Sequence, residues 1–200
     1  MHKLFLLLLL IITGHPLSAQ DIKLPAADRE GGKPLMQALN NRKSDRSFQG
    51  KELTPQQLSN LLWAANGFNR EDKRTVPTAN NRQELELYVT LKSGIYFYDA
   101  GNHLLRMVKK GDYRKSTGMQ DFVGLVPLNV IFVSDQEKAS SEHYAYTSCG
   151  YVSQNIYLYC ASEGLGTVVR GSFDKDQLAG LLQLPPHQQV LLTQSVGYVK

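Results

Sequence analysis

The segment RKSDRSF, residues 42–48, places three cations and two hydroxyl groups within seven residues. An arginine guanidinium is a planar fork of N–H donors that matches a phosphate group, and a serine hydroxyl adds a short contact. Runs of charge are more often solvated, so an exposed basic loop explains the same composition. The segment predicts an anion site only if other elements bring further polar groups to it.

The segment RTVPTANNRQ, residues 74–83, is a second place where the residue types suit a ligand. Its carboxamide side chains both donate and accept hydrogen bonds, as a ring edge with carbonyl and N–H groups requires. Proline and asparagine are also common in the turn before a strand, so a structural role accounts for the same residues.

Two glycine-containing segments complete the set. GLGTVVRG at residues 164–171 would let the backbone come close to a ligand, because glycine has no side chain. The end of a helix explains Gly164 equally well, but it says less about Gly171. GYVK at residues 197–200 closes a predicted strand with a cation.

The helices that would position these segments follow from apolar periodicity and capping signals. The clearest start is TPQQ at 54–57, which combines a threonine cap, a proline at the first helical position and a capping-box glutamine. The helix at 142–163 is apolar on every face, which predicts burial on several sides or a place at a subunit interface. The predicted helices run from Pro34 to about residue 42, from Thr54 to Gly67, over 142–163, and onwards from Asp174.

Strands are predicted where β-favouring residues alternate or run between turn signals. They cover 85–90, 95–99, 103–108, 128–133, 167–169 and 189–198, and the second and third form a hairpin. Residues 68–84 are predicted to be irregular, and residues 20–33 to form a loose N-terminal arm. The mixed order of helices and strands indicates an α+β fold with a central sheet.

The four polar segments, in this order and spacing, resemble the nitroreductase family of FMN-dependent oxidoreductases. RKSDRSF is similar to the family's arginine–serine–basic flavin motif, and PTANNRQELELYV to its proline–serine–asparagine segment before a strand. GYVSQNIYLYCASEGLGTVVRG resembles the long central helix with its flavin-facing turn, and QSVGYVK the closing strand. GIYFYDAGNHLLRMVKKGDYR further resembles the hairpin of the branch related to azoline-forming dehydrogenases. The resemblance covers residues 34–200 and implies a mostly antiparallel central sheet flanked by helices, in a homodimer.

The resemblance assigns the phosphate side of the cofactor to the basic segment. Arg42 and Ser44 would hold the FMN phosphate and ribityl chain, and Lys43 would support them. Arg46 would approach the pyrimidine carbonyls of the flavin. Lys200 would reach the phosphate from the end of the closing strand.

The resemblance assigns the flavin ring to two further segments. Pro77, Thr78 and Asn80 would line the ring from the partner subunit, with Thr78 replacing the family's usual serine. Asn81 and Gln83 take the family's amide positions. The backbone N–H of Arg170 would face flavin N5, with Gly171 beside it.

In this family the cofactor carries the chemistry, so no side chain need act as a nucleophile. The resemblance implies hydride transfer from a reduced nicotinamide or another donor, through FMN, to a small electron-poor acceptor. Two alternatives stay open. One is an exported flavin-binding protein with little or no turnover, acting as a carrier or regulator, and the other is an interaction module that has lost the cofactor. His103 and His143 have no sequence partner and are interpreted as surface residues.

The charge distribution and the N-terminal residues indicate which partners and which cellular location to expect. The chain has 22 basic and 18 acidic side chains, and the basic ones form no stripe, which argues against nucleic acid as a partner. Residues 1–19 join a basic start, an apolar run and small residues before Gln20, which predicts a cleaved signal peptide and export to the periplasm or beyond. The apolar run is shorter than the roughly 20 residues that span a bilayer, so an uncleaved anchor is the weaker alternative.

Cys149 and Cys160 lie on one predicted helix, which would hold them roughly 16 Å apart. A disulfide needs Cα atoms within about 7 Å, so the two thiols are predicted not to pair within a chain. A disulfide across a dimer axis stays open. No Cys or His spacing indicates a metal site.

Overall fold

The computed structural model describes residues 20–200, and the predicted signal peptide at 1–19 lies outside the described residues. The strands are β1 (Ile22–Lys23), β2 (Phe68–Arg70), β3 (Lys73–Arg74), β4 (Leu85–Leu91), β5 (Gly94–Asp99), β6 (Leu104–Lys110), β7 (Leu128–Asp135), β8 (Gly166–Arg170) and β9 (Gln188–Gly197). The helices are α1 (Leu35–Asn41), α2 (Pro55–Asn66), α3 (Glu142–Glu163) and α4 (Lys175–Leu182). No helix within residues 20–200 is long and apolar enough to cross a membrane.

Seven strands form one sheet in the order β1-β6-β5-β4-β7-β9-β8, and every neighbouring pair is antiparallel. Strand β7, which has neighbours on both sides, is buried along its whole length. Because side chains alternate across a strand, Val130 and Phe132 pack with α2 and α3, whereas Ile131 and Val133 pack with α4. Helices therefore cover both faces of the sheet, which confirms the predicted α+β fold.

The predicted helix signals correspond to local contacts. The hydroxyl of Thr54 accepts a hydrogen bond from the Gln57 N–H at 3.1 Å, and the Gln57 side chain accepts one from the Thr54 N–H at 3.0 Å. Gly164 ends α3 with a φ of 70°, in the left-handed region that glycine enters without strain. Start and end of α3 both lie where the sequence predicts them.

The N-terminal arm is not loose, contrary to the prediction from its polar composition. Ile22 pairs with Leu105 across β1 and β6. The Ser59 hydroxyl donates to the Pro25 carbonyl at 2.6 Å, and the Ser162 hydroxyl accepts from the Lys33 N–H at 2.7 Å. Backbone pairing and side chains from two helices fix the arm, and neither leaves a periodic signal in its own sequence.

Residues 68–84 contain more regular structure than their polar composition predicts. β2 and β3 form a two-stranded sheet directly after α2. A 3-10 turn follows at Ala79–Asn81. Strands of two or three residues are too short for alternation to be read, so this pairing was not predicted.

Both cysteines are free and buried, as predicted. They lie on the core side of α3 with 0 and 1% of their surface exposed. Burial raises the pKa of Cys149 to about 12 and also raises that of Cys160, because a thiolate is poorly solvated there. Each therefore behaves as a small apolar residue.

His103 is half-buried and bonded within the protein, so its interpretation as a surface residue was wrong. The Ser59 hydroxyl already donates to Pro25, so His103 Nε2 donates to it at 2.7 Å and Nδ1 accepts from the Tyr98 hydroxyl at 3.0 Å. Burial, with a smaller effect of Arg29, lowers the pKa of His103 below its ordinary value near 6.5. The neutral imidazole is therefore the form that the fold prefers.

We expect this preference to make the folded state less stable in acid. Below about pH 6.5 the unfolded chain binds a proton at His103 that the folded chain does not. The free energy of unfolding therefore decreases as the pH is lowered, until the pKa of His103 in the folded state is reached. Urea unfolding at pH 7.5 and 5.5 measures the effect. A His103→Asn variant, which tolerates the left-handed φ of 49° at this position, should lose less stability over that interval. An equal loss in both proteins would contradict the expectation.

Candidate functional site

The basic segment, residues 42–48, lies along the outer edge of the sheet. The Asp45 N–H donates to the Thr167 carbonyl of β8 at 3.0 Å. The Lys200 N–H donates to the Ser47 carbonyl at 3.2 Å, and Phe48 is buried in a bridge to Val199. The structure therefore brings together three of the predicted pieces, namely the basic segment, β8 and the end of the chain.

Gly166 makes the close approach of these pieces feasible. A Cβ at this position would lie 3.0 Å from the Asp45 Cβ and 3.2 Å from Val199 Cγ2. Both distances are shorter than ordinary side-chain contacts. A glycine here lets the basic segment lie directly against the start of β8.

Tyr157 of α3 connects the basic segment to β8, and the sequence did not identify it. Its hydroxyl accepts from the Val169 N–H at 3.1 Å and is 2.9 Å from the Ser44 hydroxyl. The guanidinium carbon of Arg42 lies 5.3 Å from the centre of its ring, a cation–π contact. Tyr157 is buried and counts as one more apolar residue in the helical pattern, so only the fold distinguishes it.

The backbone N–H and C=O groups of successive residues in β8 point alternately towards its neighbour β9 and towards the outer edge of the sheet. The Thr167 carbonyl and the Val169 N–H both face outward, since they bond to Asp45 and Tyr157. Alternation then directs the Arg170 N–H towards β9, where Arg170 pairs with Thr193, and places Gly171 next on the outer side. Gly171 is exposed. This geometry favours Gly171 over Arg170 as the N–H donor to a ligand at the outer edge.

The Arg170 side chain is buried, with 6% of its surface exposed. Nη1 donates to the Thr117 carbonyl at 2.7 Å and Nη2 to Asn129 Oδ1 at 3.0 Å. Within residues 20–200 no carboxylate pairs with it, and Nε has no partner. Burial lowers the pKa of Arg170 to about 10, so it stays cationic at neutral pH.

The charged residues of the basic segment differ in their surroundings. Lys43 is exposed and lies 3.3 Å from the Asp45 carboxylate, whose side chain keeps only 14% of its surface exposed. Arg46 and Lys200 are exposed, and Arg42 is half-buried. A cavity of about 440 Å³ lies beside the segment and is lined in part by Lys33, Lys43 and Tyr157. Cations and hydroxyls here suit a phosphate-bearing ligand.

The 77–83 segment lies apart from these pieces in the same chain. Within residues 20–200, no hydrogen bond joins it to the basic segment or to β8. Its amide side chains bind their own loop instead: Gln83 Nε2 donates to the Asp72 carbonyl at 2.8 Å, and Asn81 Nδ2 donates to the same oxygen at 3.2 Å. The Gln83 carbonyl oxygen accepts from Arg74 Nε at 2.9 Å.

These bonds hold the 77–83 backbone in an unusual shape. Asn80, Asn81 and Gln83 have φ values of 52°, 54° and 50°, in the left-handed region. The Thr78 hydroxyl accepts from the Gln83 N–H at 3.0 Å. Pro77 and Asn80 remain exposed at the surface of the loop. The amides at 81 and 83 thus shape the loop, and its exposed residues are free to meet another surface.

A larger cavity of about 830 Å³ contains none of the predicted site residues. It lies between the N-terminal arm and β2, and Trp63, Phe68 and His103 are among its lining residues. The Arg29 guanidinium lies 5.0 Å from the centre of the Trp63 ring. This larger cavity and the predicted chemistry therefore occupy different parts of the described chain, and the candidate site is the edge at β8.

Comparisons with known proteins identify the family of the chain. A sequence model of the Nitroreductase family matches residues 39–198. A protein of Methanocaldococcus jannaschii, provisionally named a nitroreductase, is 27% identical over 175 residues, covering 79% of this chain and 88% of the relative. A crystal structure from Ralstonia eutropha JMP134, also provisionally named a nitroreductase, is 39% identical with a TM-score of 0.85 and covers 92% of this chain and 91% of that one.

A further solved structure, provisionally named a nitroreductase and in complex with FMN, comes from Desulfovibrio desulfuricans. It is 18% identical, has a TM-score of 0.63 and covers 84% of this chain and 88% of that chain, a likeness that shows the fold alone. The predicted azoline-related branch stays a prediction. Both the family match and the Ralstonia structure extend over most of the chain. The chain therefore belongs to the nitroreductase family, a family of oxidoreductases.

Proposed function

We propose that this protein binds FMN at the outer edge of β8 and works as an oxidoreductase. Electrons would pass from a reduced nicotinamide, or another donor, to a small electron-poor acceptor. The observation that carries the proposal is the junction at Tyr157. The Tyr157 side chain contacts Arg42 and Ser44 of the basic segment and also the backbone of Val169 in β8.

The phosphate and ribityl chain of FMN are assigned to the basic segment. Arg42 offers a planar fork for phosphate, and the Ser44 hydroxyl is fixed by Tyr157 in a position to share its second hydrogen bond. Lys43, Arg46 and Lys200 are exposed cations near the same edge. They add positive charge around the phosphate at little desolvation cost.

The flavin ring is assigned to the end of β8. Bound FMN would supply the acceptance and release of a hydride, and the protein would supply orientation. The outward N–H of Gly171 is the donor that we place against the ring, rather than the inward N–H of Arg170. Because Gly171 has no side chain, a planar ring can come close to the backbone there.

We propose that the working unit is a homodimer. Tyr144 and Tyr151 of α3 keep 47 and 46% of their surface exposed, and Leu35 and Met36 of α1 are more exposed still. Large exposed apolar groups of this kind are typical of interaction surfaces. A second copy would cover them and bring its own Pro77, Thr78 and Asn80 to the flavin. Light scattering of the FMN-loaded protein tests this, and a monomer would contradict it.

We propose from residues 1–19 that the protein is exported. Export would favour a second candidate function, that of a flavin carrier or regulator. Reduced nicotinamides are cytoplasmic metabolites, so an exported protein needs another donor or acts as a flavin carrier or regulator with little turnover. Mass spectrometry of the protein recovered from cell fractions tests the export step. A mature chain that begins at Gln20 outside the cytoplasm is expected, and a full-length cytoplasmic chain would contradict it.

The absorbance spectrum of the purified protein tests the main proposal. FMN is added, the sample is desalted, and flavin bands in the visible range are expected to remain with the protein. Addition of NADH or NADPH without oxygen should bleach them if the protein is a nicotinamide-linked enzyme. Retained bands that do not bleach would favour the carrier. If no FMN is retained and titration shows no binding, the cofactor assignment is wrong.

A further inference from the structure

The connection between β6 and β7 exposes two large apolar side chains. We call residues 114–125 the β6–β7 segment. It contains two 3-10 turns, Arg114–Thr117 and Asp121–Gly124. Thr117 is fully buried and the Gln120 side-chain oxygen is buried. Met119 and Leu125, by contrast, keep 68 and 60% of their surface exposed. Two exposed apolar side chains on one connection are suited to contact something apolar.

Arg170 holds this segment firmly in place. Its Nη1 donates to the Thr117 carbonyl at 2.7 Å, and the Thr193 hydroxyl donates to the same oxygen at 3.0 Å. Gly118 lies so close to the guanidinium that a Cβ there would overlap Arg170 Nη1. The Met119 side chain is therefore exposed on a backbone that hydrogen bonds hold in place.

The anchor places Met119 beside the candidate ring site. The Met119 N–H donates to the Ser172 carbonyl at 3.1 Å. Ser172 directly follows Gly171, whose outward N–H we assign to the flavin. Met119, whose side chain is exposed, is therefore bonded through its backbone to the residue that follows the proposed ring contact.

We propose that Met119 is a specificity-determining residue, which contacts the planar acceptor bound over the flavin, and that Arg170 is its positioning residue. This inference rests on the proposed function. A methionine side chain is flexible and polarisable, and its sulfur makes favourable contacts with aromatic rings. It suits acceptors that share a flat apolar ring, such as quinones and nitroaromatics, better than small polar ones.

The experiment compares Met119→Ala and Met119→Leu with the wild-type, all loaded with FMN. Menadione and 4-nitrobenzoate are the acceptors, and NADH is the donor. In Met119→Ala the KM for both acceptors should rise about five- to tenfold, the loss expected for one truncated apolar contact. Binding of 4-nitrobenzoate without NADH, followed by the change in flavin absorbance, should weaken by the same factor. Met119→Leu should recover most of both losses.

Three controls separate this proposal from others. FMN affinity should be unchanged in Met119→Ala. Asp121→Ala removes a fully exposed side chain from the same segment and should leave acceptor KM as in the wild type. In Arg170→Lys, hydrogen exchange of the Met119 amide in the FMN-free protein should accelerate. If this variant folds poorly, the Met119 variants alone test the role of Met119.

Unchanged acceptor KM and unchanged 4-nitrobenzoate binding in Met119→Ala would overturn the proposal. So would a loss of dimerisation in that variant with normal acceptor binding, because Met119 would then contact the second subunit. Failure of the proposed function is distinguishable, since in that case the wild-type protein itself retains no FMN.

Discussion

Replacing Arg42 with alanine is expected to weaken FMN binding about ten- to a hundredfold, because it removes a charge-assisted contact worth roughly 1.5–3 kcal/mol. Stability should change little, since the side chain is half-buried and its cation–π contact with Tyr157 is a weak one. Titration of the FMN-free protein, followed by quenching of flavin fluorescence, measures the affinity.

The matched control for Arg42→Ala is Arg70→Ala. Arg70 is an exposed arginine on β2, outside the candidate site. If the loss of affinity reflects net charge alone, both variants should lose equally. Arg42→Lys should be intermediate, because lysine keeps the charge but not the fork. An unchanged affinity in Arg42→Ala would mean that the basic segment does not hold the phosphate.

Replacing Tyr157 with phenylalanine is expected to affect both folding and FMN binding. The Val169 N–H would lose its acceptor, which should cost about 1–3 kcal/mol of unfolding free energy. Ser44 would lose the bond that fixes its hydroxyl, and FMN affinity should fall about three- to tenfold. Urea unfolding and the same fluorescence titration provide the two measurements.

Tyr159→Phe is the control for the Tyr157 variant. Tyr159 lies on the same helix, and its hydroxyl also bonds to a backbone group, the Gln57 carbonyl at 3.2 Å. No hydrogen bond within residues 20–200 joins it to the basic segment, so stability should fall while FMN affinity stays as in the wild type. Equal affinity losses in the two variants would indicate a general effect of a weakened α3.

The sequence predicted the elements that have strong local signals. The capping box at 54–57 and the apolar period of 142–163 need only neighbouring residues, and both lie where expected. The sheet was predicted because its strands are long enough to show alternation. β1, β2 and β3 are two or three residues long and depend on distant partners, so their sequences carry no comparable signal.

The site was predictable in its composition but not in its connections. The basic segment and the 164–171 segment could be singled out from residue types. That Tyr157 joins them, and that strand alternation turns Gly171 outward, depends on how α3 and β8 pack together. Arg170 illustrates the limit, because sequence could assign its backbone a role but could not show that its side chain secures a segment more than 40 residues away.

The way the basic segment covers β8 has a consequence for the protein before it acquires a ligand. β8 ends the sheet, and an unpaired strand edge is a template on which another chain can add by backbone bonding, which leads to aggregation. Asp45 and Tyr157 already occupy the outward groups of Thr167 and Val169. The outward backbone groups of these two residues are therefore already hydrogen-bonded before FMN binds. A newly folded chain without cofactor does not expose them for pairing with a strand of another chain.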